Sequence, residues 1–201
     1  MSHNTWMHRT VRVAVRPLAR TPVTPNQVTT LRLVAGLGAA AAFAAGSETW
    51  RAWGAGIFLL SVFLDRADGE LARLSGKTSP GGHTYDLVSD ALSDMLAFLG
   101  LGIGLRGGIF GDWAPLMGLV AGLAIAATFW LIFKLEALHG QRAGELALSA
   151  SFDPDDGVLA VPLLVWLGLS DWLLAGACVG APAFAVYMVL KFRKRLRAPA
   201  P

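Results

Sequence analysis

Carboxylates set into long apolar segments constrain this chain more than any other feature. Asp65, Asp68, Asp86, Asp90 and Asp94 stand where apolar runs end or begin. A carboxylate at membrane depth is costly, so it faces a bundle interior or a polar cavity and has a function there. Asp65 and Asp68 are three residues apart and Asp86 and Asp90 four, so on helices each pair projects from one face. The Gly/Ser/Thr/Pro-rich stretch from Ser75 to Gly82 lies between the pairs. It is short enough to fold the two helices back on each other and bring the pairs face to face. Four converging carboxylates repel one another unless cations sit among them. Hard divalent ions with oxygen ligands, Mg²⁺ or Mn²⁺, suit such a group, and two bridged ions suit phosphoryl or diphosphate chemistry. The spacing therefore points to a two-metal site.

The rest of the chain is membrane-like. With 54% hydrophobic and 15% charged residues over 201, and a mean hydropathy of +0.53, it departs from an ordinary soluble domain. The apolar periodicity predicts helices over 28–45, 50–74, 85–105, 113–135, 158–169 and 172–192, the fifth short for a span. Ahead of them, Arg9, Arg12, Arg16 and Arg20 recur every three or four residues among Val, Leu and Trp6. That pattern predicts a basic amphipathic helix lying on an anionic membrane face. A signal peptide fits less well, since arginines interrupt the apolar run and no small-residue cleavage site follows. The expected fold is all-α, a polytopic membrane bundle of about six transmembrane helices preceded by an amphipathic interfacial helix. As domains, residues 1–24 form that helix and a turn, 25–192 the bundle and 193–201 a basic cytoplasmic tail of one unit.

Six spans put both termini on one side. Arg9 to Arg20, Arg73, Lys77, Lys134, Arg142 and the Lys191–Arg197 tail then share that side, which the positive-inside rule makes the cytoplasm. Trp50, Trp53, Trp113, Trp166 and Trp172 form an interfacial belt opposite, beside Arg51 and Arg106. The aspartates open toward the cytoplasm of a multi-pass inner-membrane protein. Cys178 is the single cysteine, which excludes an internal disulfide. A net charge of +3 calls for no nucleic-acid partner.

Asp65-x-x-Asp68-Gly69-x-x-Ala72-Arg73, eight residues, Gly82-x-x-x-Asp86-x-x-x-Asp90 resembles the signature of the CDP-alcohol phosphotransferases, membrane enzymes that make phospholipids from CDP-activated alcohols. Every fixed position matches. The resemblance implies transfer of a phosphoryl-alcohol group from a CDP-alcohol to the hydroxyl of a small polar acceptor, with release of CMP and with Mg²⁺ or Mn²⁺ as cofactor. CDP-diacylglycerol is the expected donor, and a soluble CDP-linked alcohol such as CDP-inositol is the alternative. It assigns Asp65, Asp68, Asp86 and Asp90 to two metals, Asp90 also as the base, and Gly69, Ala72, Arg73 and Gly82 to the cytidine nucleotide. Relatives show a similar Pro-x-x-x-Thr-x-x-Arg start to their first span, which places Thr29 and Arg32 at the cavity or on the diphosphate. A homodimer among membrane lipids is implied as well.

Other residues are read more simply. Asn26 and Thr29 also suit helix capping, and Arg73 and Lys134 suit interfacial anchoring. Lys134 resembles the lysine of a basic acceptor pocket in inositol-phosphate-using relatives, but the arginine those relatives carry earlier on that helix is absent around Met117. Asp94 extends the Asp86 and Asp90 face by a turn and is assigned with Lys134 to an acceptor pocket. His83 beside Gly82 is a possible substrate contact, His139, Arg142 and Glu145 are solvated, and Ser151–Gly157 begins the fifth helix rather than forming an EF-hand. Two other functions place carboxylates in a helix bundle. A cation transporter explains neither Gly69, Ala72 and Gly82 nor Arg73, and an intramembrane prenyltransferase would release inorganic diphosphate.

Overall fold

The computed structural model describes residues 11, 13, 15–79, 81–139 and 154–197. Among the described residues six α-helices follow one another: α1 Pro25–Ala44, α2 Glu48–Ser75, α3 Gly82–Gly104, α4 Ala114–His139, α5 Pro154–Trp166 and α6 Ser170–Arg197. Each begins within about four residues of its sequence expectation, the ordinary precision for element ends. Short 3-10 turns at Leu18–Arg20 and Gly111–Trp113 precede α1 and α4.

Local chemistry sets the ends. Thr24, not Asn26, caps α1: its hydroxyl accepts from Gln27 N while Gln27 Oε1 accepts from Thr24 N at 3.0 Å, a capping box with Pro25 in the first turn. Ser47 caps α2 by accepting from Trp50 N at 3.2 Å, and α2 stops at Gly76, whose φ of +66° favours glycine.

Among the described residues four helical stretches are apolar and long enough to cross a membrane: Pro25–Ala44, Gly82–Gly104, Gly111–Leu138 and Ser170–Arg193. At 28 residues α2 is also long enough, but its second half carries Asp65, Arg66, Asp68, Glu70 and Arg73. The 13 residues of α5 span only about 20 Å, so α5 leans on α2 and its neighbours. The chain is a multi-pass membrane protein of helices only among its described residues.

The packing corrects one detail of the hairpin picture. Helices α2 and α3 touch each other little; α1 packs along both, and the two approach where Asp65 and Asp68 meet Asp86. Small residues make this possible. A side chain at Gly100 or Gly104 would meet the carbonyl oxygens of Ala40 or Phe43, and one at Gly36 would meet Ser93 Cβ at 2.5 Å. On the other face of α3, Gly102, Gly118 and Gly122 bring α4 equally close, the small-xxx-small packing of membrane helices. Phe43, Phe58, Phe98, Leu101 and Leu174 fill the central core, and Leu131, Leu135, Met188 and Phe192 join α4 to α6.

Near the N-terminus the chain is helical where it is described, with one apolar side turned to the protein. Val11, Val13 and Val15 are helical; Val11 and Val15 are buried against Val28, Ala67 and Leu71, while Val13 is 69% exposed. Arg16 and Arg20 face outward, and Arg9 and Arg12 lie outside the described residues. Lys77 Nζ donates to Thr21 O at 2.6 Å, tying the α2–α3 turn to this segment. The bundle thus has a basic end, where 15–26, 76–83 and the end of α4 meet. At its other end Trp50, Trp53, Trp113, Trp166 and Trp172 are all at least half exposed. There Trp166 Nε1 donates to Ala52 O at 3.1 Å and Ile109 N to Asp171 Oδ1 at 3.0 Å.

Candidate active site

Three helices deliver the site. One oxygen each from Asp65 and Asp68 on α2 and Asp86 on α3 lie within 4.8 Å of one another. The i,i+3 spacing turns Asp65 and Asp68 to one face, and the turn 76–81 returns the chain so that α3 presents Asp86 to them. Asp68 is 3% exposed, and its Oδ2 accepts from the Thr29 hydroxyl of α1 at 2.7 Å. The same hydroxyl reaches Pro25 O at 3.2 Å.

Asp90 stands outside this group of three. One turn deeper on α3, it meets Arg32 of α1, with Nη1 2.5 Å from Asp90 Oδ1. Arg32 Nε lies 3.4 Å from Asp65 Oδ1, so the guanidinium bridges α2 and α3. Asp65 Oδ2 is 3.3 Å from Arg66 Nη1, which also donates to Val62 O at 3.1 Å. Asp94, a further turn along, lies within electrostatic reach of Arg32.

The donor set fits a divalent cation. Three carboxylates supply hard oxygens, and Asp86 Oδ1 is buried with no hydrogen-bond partner. A buried carboxylate oxygen without a donor is expensive, and a cation is the partner that such a cluster accommodates. The group can hold such an ion, and its oxygens suit Mg²⁺ or Mn²⁺.

The glycines of the motif differ from each other. A Cβ at Gly69 would find only Arg73 Nη2, at 3.8 Å, so crowding inside the protein does not account for the missing side chain. A Cβ at Gly82 would press on Ser79 Oγ at 2.8 Å and Asn26 Oδ1 at 3.0 Å. Asn26 Nδ2 donates to Ser79 Oγ at 3.2 Å, so Asn26 braces the turn beneath Gly82. Ala72 is partly buried, and the half-exposed Arg73 pairs with buried Glu70 at 3.3 Å.

The acceptor-side residues fall differently. Lys134 is exposed and sits over the Trp130 ring, 5.1 Å from its centroid. Glu136, a residue the sequence did not single out, faces inward from α4 and pairs with His83 Nε2 at 2.7 Å. Its signal was available only as position: Glu136 falls half a turn from Lys134, on the opposite side of an otherwise apolar helix. The side chain of His139, and Arg142, Glu145 and 151–153, lie outside the described residues, as do the side chains of 154–157.

Thr29 offers a local test. Thr29→Val keeps the shape and removes the donor to Asp68, a hydrogen bond to a charged group worth about 1.5–3 kcal/mol. The protein should unfold at a lower temperature in detergent and bind Mn²⁺ more weakly. An unchanged midpoint and affinity would show that the contact contributes nothing.

A family profile and a curated relative agree with this geometry. Residues 22–183 match the CDP-alcohol phosphatidyltransferase profile. The chain belongs to the CDP-alcohol phosphatidyltransferase family. Over 90 residues, 44% of its length, it is 37% identical to an archaetidylinositol phosphate synthase of Pyrococcus horikoshii. That stretch covers 46% of the relative, so the chain spans about half the length of the curated protein it matches.

Proposed function

We propose that this protein transfers a phosphatidyl or related phosphoryl-alcohol group from a CDP-alcohol, with CDP-diacylglycerol the expected donor, to the hydroxyl of a small polar acceptor, releasing CMP. The observation that carries the reading is the convergence of Asp65, Asp68 and Asp86 within 4.8 Å, inside a motif whose remaining residues also match.

Asp65, Asp68 and Asp86 would hold the divalent ions, and Asp90, one turn deeper beside Arg32, would stand next to them as the base. Ions bound there supply positive charge to the donor diphosphate and to the leaving CMP. Open space at Gly69 supports close approach of the cytidine, flanked by Ala72, Gly82 and the exposed edge of Arg73. Thr29 holds Asp68 in place for this work. Asp90 takes the proton of the acceptor hydroxyl as its oxygen attacks the phosphorus that carries the alcohol group. The new P–O bond forms as the anhydride P–O bond breaks, and the electron pair leaves on the phosphate of CMP. The acceptor approaches on the side of Asp94, with Lys134 at the outer rim.

The site is proposed to open to the cytoplasm at the basic end of the bundle, so that CMP leaves without crossing the membrane. Residues 1–201 act as one membrane domain, in the inner membrane and as a homodimer. Similarity to an archaetidylinositol phosphate synthase supports including inositol phosphate among the acceptors.

The test offers purified protein CDP-diacylglycerol or CDP-inositol, with glycerol phosphate, serine, inositol or inositol phosphate and Mn²⁺, and identifies the products by mass spectrometry. A phospholipid formed from CDP-diacylglycerol, and lost on chelation with EDTA, is expected. Product from CDP-inositol alone would replace the donor. Absence of any product would overturn the reading.

A further inference from the structure

We infer that Arg32 is a positioning residue for Asp90, holding that carboxylate apart from the cation-binding group, rather than a ligand of the donor diphosphate. The inference rests on the transferase reading for Asp90 as base. Arg32 is 4% exposed, and two of its nitrogens address protein carboxylates, Nη1 that of Asp90 at 2.5 Å and Nε that of Asp65 at 3.4 Å. Its backbone is fixed too, since Ser61 Oγ of α2 donates to Arg32 O at 3.0 Å. Both contacts are to the protein's own carboxylates, so the charge of Arg32 is already offset before a diphosphate arrives.

The arrangement divides the aspartates. Asp65, Asp68 and Asp86 form a group within 4.8 Å, while Asp90 is drawn toward Arg32. The pairing is one of charge, not of aligned hydrogen bonds: Arg32 Nε, Arg32 Nη1 and Asp90 Oδ1 are all buried without a hydrogen-bond partner. Arg32 therefore fixes Asp90 Oδ1 by charge and leaves the second oxygen of the carboxylate for a hydroxyl proton. Because Arg32 also contacts Asp65, its charge opposes cation binding instead of assisting it.

Arg32→Met, Arg32→Lys, Asp90→Asn and the double variant Arg32→Met/Asp90→Asn separate these roles, read by Mn²⁺ titration and by kcat and KM for the donor. Arg32→Met should lower kcat about 100-fold, the scale for a misplaced reacting group, and leave the donor KM within about threefold. Its Mn²⁺ affinity should equal or exceed the original, Arg32→Lys should recover part of kcat, and Arg32→Met should add no further loss in the Asp90→Asn background. A donor KM raised tenfold or more with kcat retained, Mn²⁺ binding weakened tenfold, or losses that multiply in the double variant would each overturn the inference. If Arg32→Met does not fold, Arg32→Lys must show a kcat loss at constant KM. If the unaltered protein releases CMP from no donor, the transferase reading fails by itself. The Mn²⁺ titration then still decides whether Arg32 opposes or assists cation binding.

Discussion

Asp90→Asn is expected to lower acceptor-dependent CMP release by about 10²- to 10⁴-fold, the contribution of a positioned general base. Asparagine keeps the size of aspartate and one oxygen toward Arg32 Nη1, now 2.5 Å from Asp90 Oδ1, so the α1–α3 contact should survive. What it loses is the ability to accept the hydroxyl proton. Asp65, Asp68 and Asp86, within 4.8 Å of one another without Asp90, should still bind Mn²⁺, and the donor KM should change little. Thermal unfolding in detergent checks the fold, Mn²⁺ titration the cation group and steady-state kinetics the chemistry. Turnover within threefold of the original would remove Asp90 from the base role. Loss of Mn²⁺ binding together with turnover would make it chiefly a ligand.

Gly100→Val should have the largest effect on stability. A side chain here would meet Ala40 O, a backbone atom of α1 that cannot rotate aside, and Gly104 makes the same kind of contact with Phe43 O one turn on. Overpacking of this kind costs about 1–3 kcal/mol and more where the backbone must shift. The effect should extend beyond stability, because α1 carries Thr29 and Arg32 to Asp68 and Asp90. An α1 displaced by about an ångström takes both with it, and misplacement of that size costs on the order of 10² in rate. Gly176→Ala on α6 is the control: nothing lies within 4 Å of its added Cβ, so stability should hold or rise slightly. Equal behaviour of the two variants in thermal unfolding would contradict the close-packing account.

The sequence made some of this legible and hid the rest for physical reasons. Helices were readable because long apolar runs leave few alternatives in a membrane. The convergence of Asp65, Asp68 and Asp86 followed from period and a short turn, both local properties. The wedge of α1 between α2 and α3 was not readable, because it depends on Gly36, Gly100 and Gly104 meeting a neighbour's atoms, and a glycine does not announce its partner. The start of the first span places Arg32 at the cavity or on the diphosphate, while its partners Asp65 and Asp90 come from two other helices whose packing the sequence does not show. Lys134 drew attention by its charge, yet on the helix it turns to Trp130, and Glu136 turns to His83. Facing direction around an apolar helix was the missing information.

The central claim is that these aspartates serve phosphoryl-alcohol transfer with CMP as leaving group. Its most direct test is the nucleotide and phosphate balance of the protein reconstituted in vesicles with CDP-diacylglycerol, Mn²⁺ and the acceptor panel, beside Asp86→Asn. The account predicts one CMP per phospholipid formed, no inorganic diphosphate and no product from Asp86→Asn. Inorganic diphosphate release, or Mn²⁺ flux into the vesicles without CMP, would contradict it.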